Sequence, residues 1–99
     1  MKSLKNKSKI EELFSSSAKK VNTPSVRARF IKGDGEVLIT VPSKIFKRAV
    51  DRNRLKRLMR ESLKDKSLKG LDLALVYNKS IIEDFAIIKK DIDKIFEII

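Results

Sequence analysis

The sequence predicts one small domain of the α/β (α+β) class, a two-layer sandwich in which helices cover a small mixed sheet in the order α-β-β-α-β-α. Three features of its 99 residues indicate this class. Two stretches with alternating apolar residues flank a Gly-Asp-Gly turn, which is typical of an antiparallel hairpin. A nearly continuous apolar stretch, 71–77, predicts a central strand. Helical spacing of apolar residues before, between and after these strands predicts three helices.

The first element is a short helix that follows a basic arm. Residues 1–9 are rich in lysine, and we expect a mobile arm that reaches phosphates without a fixed structure. The apolar residues Ile10, Leu13 and Phe14 are spaced as i, i+3 and i+4, which predicts one stripe of a helix. Phe14 then either joins the core or lines a cleft. Residues 15–22 lack periodicity and predict a polar connector.

The predicted sheet combines a hairpin with one later strand. In the first strand, 25–31, alternation places Val26, Ala28 and Phe30 on one side and Arg27, Arg29 and Ile31 on the other. The second strand, 36–41, ends at Pro42, which has no N–H to donate to a ladder. A helix separates this strand from 71–77, so we expect the two strands to be parallel. General chirality favours a right-handed crossover between them.

The helix between the second and third strands carries the most unusual charge pattern. From 44 to 60 there are eight basic residues and one acid, and five of the seven arginines in the chain lie there. Exposed helices usually alternate charge signs, because i,i+4 pairs of opposite charge stabilise them. Here neighbouring charges repel, while Leu55, Leu58 and Met59 share one apolar face. Since guanidinium groups bind phosphate oxygens in a bidentate manner, the pattern predicts a polyanionic ligand.

The last predicted element is a helix that reaches the C-terminus. It begins near Ser80 or Asp84, either of which can cap it. Apolar residues recur at helical spacing at Phe85, Ile88, Ile92, Ile95 and Phe96. Acidic and basic residues nearly balance, so we expect a structural helix that packs on the sheet. Its acids match no metal-loop spacing and give little support to carboxylate or metal chemistry.

The composition indicates a binding function. The net charge of +11 favours nucleic acid as the partner, with a membrane surface as the second possibility. The chain has no cysteine and no histidine, which excludes disulfides, thiolate nucleophiles and the usual general base. No apolar run approaches the roughly 18 residues of a spanning helix, and no signal peptide is recognisable, so we expect a cytoplasmic protein.

The basic helix carries a known family signature. Residues 49–61 read Ala-Val-Asp-Arg-Asn-Arg-Leu-Lys-Arg-Leu-Met-Arg-Glu. This segment resembles the RNR signature of the bacterial ribonuclease P protein component, A-V-x-R-N-R-x-K-R-x-x-R-E. The approach to the helix, 41–47, and the first helix, 10–14, are also similar to the family pattern, with Ser43 and Ser17 as departures. The resemblance implies a ribosomal-protein-S5-like fold with the rarer left-handed crossover.

The resemblance implies that the chain is the protein subunit of ribonuclease P. In that family the RNA subunit holds the catalytic metals and cleaves, and the protein assists endonucleolytic removal of the 5′ leader from precursor tRNA. We therefore expect no catalytic or metal-binding residue and no cofactor bound by the protein, and we expect Mg²⁺ to serve the RNA-catalysed reaction. Contacts with the RNA subunit are implied for Lys44, Lys47, Arg48, Arg52, Asn53, Arg54, Lys56, Arg57 and Arg60.

The resemblance also implies a cleft between the first helix and the open sheet face, where the single-stranded leader binds. The candidates are Phe14, Arg27, Arg29 and Phe30, because single strands bind aromatic platforms in a positive groove. Phe30 and Arg29 are neighbours on a strand and point to opposite faces, so at most one of them lines the cleft directly. We place Phe30 in or beside the cleft and keep both arginines as candidates.

Other functions remain open at this point. The main alternative is another structured-RNA-binding protein, such as a ribosomal protein or an RNA chaperone, without a role in cleavage. A DNA-binding protein is disfavoured because no helix-turn-helix or zipper is recognisable. A membrane-surface module would use 44–64 as an amphipathic helix, yet the core needs its apolar residues. A stand-alone nuclease conflicts with the missing histidine and cysteine. We therefore expect the RNA subunit and precursor tRNA as partners, and neither DNA nor a membrane.

Overall fold

The computed structural model describes residues 2–99, which form three helices and one five-stranded sheet. The helices are α1 (Lys7–Leu13), α2 (Ala49–Ser62) and α3 (Phe85–Ile98), and the strands are β1 (Lys2–Ser3), β2 (Lys19–Asn22), β3 (Val26–Lys32), β4 (Glu36–Thr40) and β5 (Leu71–Tyr77). The strand order is β1-β4-β5-β3-β2. β4 is parallel to β1 and β5, and β3 is antiparallel to β5 and β2. The predicted class is confirmed, and so is the parallel pairing of the strands on either side of the basic helix.

β5 lies between β3 and β4, so the predicted hairpin of these two strands is wrong. The physical reason is burial, because β5 is apolar on both faces and only a central position covers both. The turn 33–35 therefore spans the start of β5, where the N–H groups of Gly33 and Gly35 donate to the carbonyls of Gly70 and Leu71. Gly35 has a φ of 83°, which favours glycine at this position.

The N-terminal arm is ordered rather than mobile, and residue 1 of that arm lies outside the described residues. Residues 2–3 pair with β4, and the next residue, Leu4, is buried. α1 begins inside the expected arm, because the Asn6 side chain accepts hydrogen bonds from two N–H groups of the first turn. The expected polar connector likewise contains β2, which pairs with β3 and buries Val21.

The core occupies both faces of the sheet, but unequally. On one face α2 and α3 pack against the strands and bury residues such as Leu55, Met59 and Ile92 completely. On the other face α1 packs Leu13 against Leu4 and Ala74. Each fully buried aliphatic side chain contributes roughly 1.5–3 kcal/mol, so the larger face provides most of the hydrophobic stabilisation. α1 has seven residues and covers only part of the second face.

Candidate RNA-binding surfaces

The inner face of α2 is apolar, and its outer face is basic. Leu55 and Met59, one turn apart, are fully buried in the core on the sheet. Because successive residues are rotated by about 100°, most of the polar residues of α2 then point away from the core. Five polar residues of α2 are exposed, one of which is the acid Glu61. The other four form what we call the basic helix face, namely Asn53, Arg54, Arg57 and Arg60.

The side chains predicted to contact the RNA subunit differ in their solvent exposure. Seven of the nine are exposed, and the half-buried two are Arg52 and Lys56. Nη1 of Arg52 donates to the carbonyls of Phe46 and Lys47, both at 2.8 Å. These hydrogen bonds attach the segment before α2 to the helix. Arg52 therefore supports the positions of Lys44, Lys47 and Arg48, which are exposed in that segment.

The arginines have no carboxylate partners within residues 2–99. Every ion pair in this part of the chain is made by a lysine, namely Lys9, Lys64, Lys66 or Lys89. An arginine that is already paired would have to leave its carboxylate before it could bind phosphate. The exposed arginines of this chain need no such exchange. Their distribution favours an anionic ligand over a purely structural role.

A second basic surface lies on the sheet face that α1 covers only in part. The register places Arg27 beside Asn22 and Arg29 beside Lys20, and all four alternate with residues of the core on the other face. Phe14, the residue after α1, is 43% exposed. Cζ of Arg29 lies 5.5 Å from the centroid of the Phe14 ring, which is a cation–π geometry. We call the surface formed by these five residues the cleft.

Phe30 lies on the opposite face, so its placement in or beside the cleft is corrected. Its ring packs against the core between the sheet and the helices α2 and α3. It is also in register with Leu73, which is buried in that core. Strand alternation requires this position, since Val26 and Ala28 belong to the same core. Phe14, by contrast, is exposed beside Arg29 and lies in the cleft rather than in the core.

Lys20 and Asn22 are cleft residues that the sequence pattern does not indicate. Their strand, β2, has four residues and lies at the edge of the sheet. The available signal is weak, because Val21 is its single apolar residue and such a short stretch shows little alternation. Pairing with β3 is what turns both polar side chains toward the cleft.

An ion cluster holds α1 to the sheet at the end opposite Phe14. Nζ of Lys9 lies 2.9 Å from Asp34 Oδ2 and 3.0 Å from Glu36 Oε1. It is also 3.2 Å from Asp72 Oδ2, an ionic contact without hydrogen-bond geometry. The Asp34 carboxylate, followed by those of Glu36 and Asp72, raises the pKa of Lys9. Burial favours a higher pKa for Asp72, but the N–H groups of Glu36 and Asp34 and the Lys9 ammonium outweigh it and lower that pKa.

Asp72→Asn should lower the free energy of unfolding by about 2 kcal/mol at neutral pH, because a charge-assisted contact in a buried position is lost. The folded-state pKa of Asp72 lies below its usual 3.8, so its contribution is present above pH 3.8 and is lost as the pH falls through the folded value. Urea unfolding at pH 7 and at decreasing pH below 3.8 measures this effect. The gap between the original chain and the variant should shrink with falling pH, and a constant gap would contradict an ionic role.

The basic helix face and the cleft belong to opposite sides of the sheet, since α2 packs on one face and α1 on the other. One chain can therefore contact two segments of a polyanion at the same time. Among residues 2–99, no group of three or more acidic, histidine or cysteine side chains is arranged to hold a metal ion. No helix in the described part of the chain is long and apolar enough to cross a membrane.

The chain is similar to known proteins in its sequence family and in its fold. A family model described as Ribonuclease P matches residues 1–99. The comparison with curated proteins found no match. The fold is similar to that of the RNase P protein from Thermotoga maritima, with a TM-score of 0.83, 22% identity and coverage of 100% of this chain and 98% of that chain. It is also similar to the Staphylococcus aureus RNase P protein, with a TM-score of 0.82, 16% identity and coverage of 99% and 94%.

Proposed function

The chain belongs to the ribonuclease P protein family, and we propose that its two basic surfaces bind two different RNA segments. It is the protein component of the ribonucleoprotein endoribonuclease ribonuclease P and has a subunit role in tRNA 5′ processing. We assign the basic helix face, with the basic residues before α2, to the RNA subunit. We assign the cleft to the 5′ leader of precursor tRNA. In this proposal the RNA cleaves in the cytoplasm with Mg²⁺ that the RNA holds.

The assignment of the α2 surface depends on one observation above all. Arg54, Arg57 and Arg60 are exposed on one helix, and in the described chain no carboxylate lies within ion-pair distance of them. A folded RNA presents closely spaced phosphates, and each bound cation releases counterions from them. Because the helix fixes the backbone of all three arginines, binding several phosphates requires ordering of the side chains alone. The basic helix face is therefore suited to a structured RNA.

The cleft is suited to a single strand rather than to a duplex. The exposed ring of Phe14 offers a stacking surface, and a base stacked on an aromatic side chain contributes roughly 1–3 kcal/mol. Arg29 lies over this ring, Lys20 and Arg27 add positive charge on the same sheet face, and Asn22 adds a hydrogen-bonding amide. The leader is present in precursor tRNA and absent from the mature product. Contacts confined to the cleft therefore raise the affinity for substrate alone.

Asn53→Ala is expected to lower the stimulation of precursor cleavage by about fivefold, which corresponds to one lost hydrogen bond, and to lower it more than Lys64→Ala does. The Asn53 amide both donates and accepts, so it can orient the RNA. Lys64 supplies charge alone and already pairs with Glu61 at 3.1 Å. The measurement is the cleavage rate at limiting protein concentration. Equal losses in the two variants would contradict an orienting role for Asn53.

Cleavage of precursor tRNA by a bacterial ribonuclease P RNA tests the proposed function directly. With Mg²⁺ limiting, we expect the protein to increase the rate of leader removal, because its cations supply part of the charge neutralisation that the RNA needs. The protein without the RNA serves as the control and should not cleave. Tight, salt-sensitive binding of the RNA without any stimulation would contradict the proposal and favour a general structured-RNA-binding protein.

A further inference from the structure

β1 covers only the first part of the outer edge of β4. In the described chain β1 pairs with Glu36 and Val37, whereas β4 continues along β5 as far as Thr40. The Val37 carbonyl accepts a hydrogen bond from the N–H of Leu4 at 2.8 Å, so it points to the outer edge. Backbone groups of alternate residues point to the same side of a strand. The N–H and carbonyl of Ile39 therefore point outward, beyond the end of β1.

A groove of about 480 Å³ lies along this edge. Its apolar part includes Leu4, Ile39 and Leu63, and the cations that line it are Lys5, Arg60, Lys64 and Lys66. None of the described residues that line it is acidic. Lys5 belongs to the segment between β1 and α1, whereas Arg60 belongs to α2. The two walls of the groove thus come from distant parts of the chain and carry the same charge.

The four cations differ in their partners. Nζ of Lys66 is 2.6 Å from Asp93, so this lysine connects the segment after α2 to α3. Lys64 forms an exposed pair with Glu61, which contributes little to stability. Lys5 and Arg60 are exposed, and within residues 2–99 neither has a carboxylate within ion-pair distance. A cation in the last turn of a helix interacts favourably with the helix dipole, which gives Arg60 a structural role. Lys5 lies outside any helix and has no such explanation.

We propose that this groove binds a segment of the RNA subunit's phosphodiester backbone, so that the interface on α2 continues past the end of the helix to Lys5. The inference rests on the proposed function and extends it to a site on another element. Arg60 belongs to both the basic helix face and the groove. An RNA strand can therefore pass from one to the other and stay next to basic side chains throughout. The outward N–H of Ile39 can donate to a phosphate oxygen, and its carbonyl can accept from a ribose 2′-hydroxyl. An acidic peptide would satisfy the charge but would leave this continuity unexplained.

Loss of the Lys5 charge tests the affinity. Lys5→Ala should weaken binding of a bacterial ribonuclease P RNA by about fivefold and reduce the slope of log affinity against log salt by about 1, because one phosphate contact is lost. Lys90→Ala is the matched control, since Lys90 is an exposed lysine on α3, and it should leave both quantities nearly unchanged. Equal effects of the two variants would overturn the proposal.

A site-directed probe tests the location. The chain has no cysteine, so a single introduced cysteine carries an iron-chelate probe at one position alone. Probes on Lys5→Cys and on Glu61→Cys should cleave nearby nucleotides of the same RNA strand in the complex, while a probe on Lys90→Cys should not. Cleavage from Glu61→Cys without cleavage from Lys5→Cys would overturn the groove site and leave the α2 interface intact. If neither the Lys5→Cys probe nor the Glu61→Cys probe cleaves the RNA, and the protein does not bind the RNA, the proposed function itself is contradicted.

Discussion

Replacing Arg54 and Arg57 together by alanine is expected to weaken binding of the ribonuclease P RNA subunit by about 100-fold. Both side chains are exposed on the basic helix face, three residues apart and one turn from each other. A hydrogen bond that involves a charged group contributes roughly 1.5–3 kcal/mol, so two lost contacts amount to about 3 kcal/mol or more. The dependence of log affinity on log salt should become shallower by about 2, because two fewer phosphates are neutralised.

Titration of the RNA with each protein across a series of salt concentrations measures both quantities. The matched control is Lys90→Ala with Lys94→Ala, which removes the same charge from the exposed surface of α3. General attraction to a protein of net charge +11 would weaken both double variants equally. If the RNA contact is specific to α2, the arginine double variant should lose far more affinity than the lysine double variant. Neither substitution touches the buried core, so circular dichroism should show the fold unchanged.

Phe14→Ala is expected to reduce the preference for precursor over mature tRNA by about tenfold, within the range for one stacked base. The ring is exposed and lies under the Arg29 guanidinium, so its loss removes a stacking surface and leaves the arginine without its cation–π partner. Mature tRNA has no leader and should bind the assembled ribonucleoprotein as before. The ratio of the two affinities is therefore the quantity to measure.

Phe30→Leu is the informative control for this second experiment. Phe30 is an aromatic residue on the same sheet but on the opposite face, where it packs against the core. Its substitution should lower the unfolding temperature slightly and leave the preference for precursor unchanged. If Phe14→Ala and Phe30→Leu reduce the preference equally, the effect comes from the stability of the sheet and not from the cleft. A reduced affinity for mature tRNA in Phe14→Ala would also contradict a leader-specific contact.

Local patterns in the chain were sufficient to predict the basic helix face. Apolar residues at helical spacing place Leu55 and Met59 inward, and the burial of both side chains confirms this. The same period places Arg57 and Arg60 outward, where they are exposed, and it also places Lys56 outward, which is half-buried. Within one helix, a residue's direction depends only on its neighbours along the chain. Whether these arginines bind RNA stays a prediction.

The cleft depended on pairing between distant segments, which no local pattern specifies. Alternation in β3 correctly separated Phe30 from Arg29, but it could not indicate which side α1 covers. The position of β5 between β3 and β4 was decided by burial of both its faces, and the short strands β1 and β2 formed only because this sheet offered them edges. Local sequence therefore determined which residues share a face, whereas the total burial of the folded chain determined which faces meet.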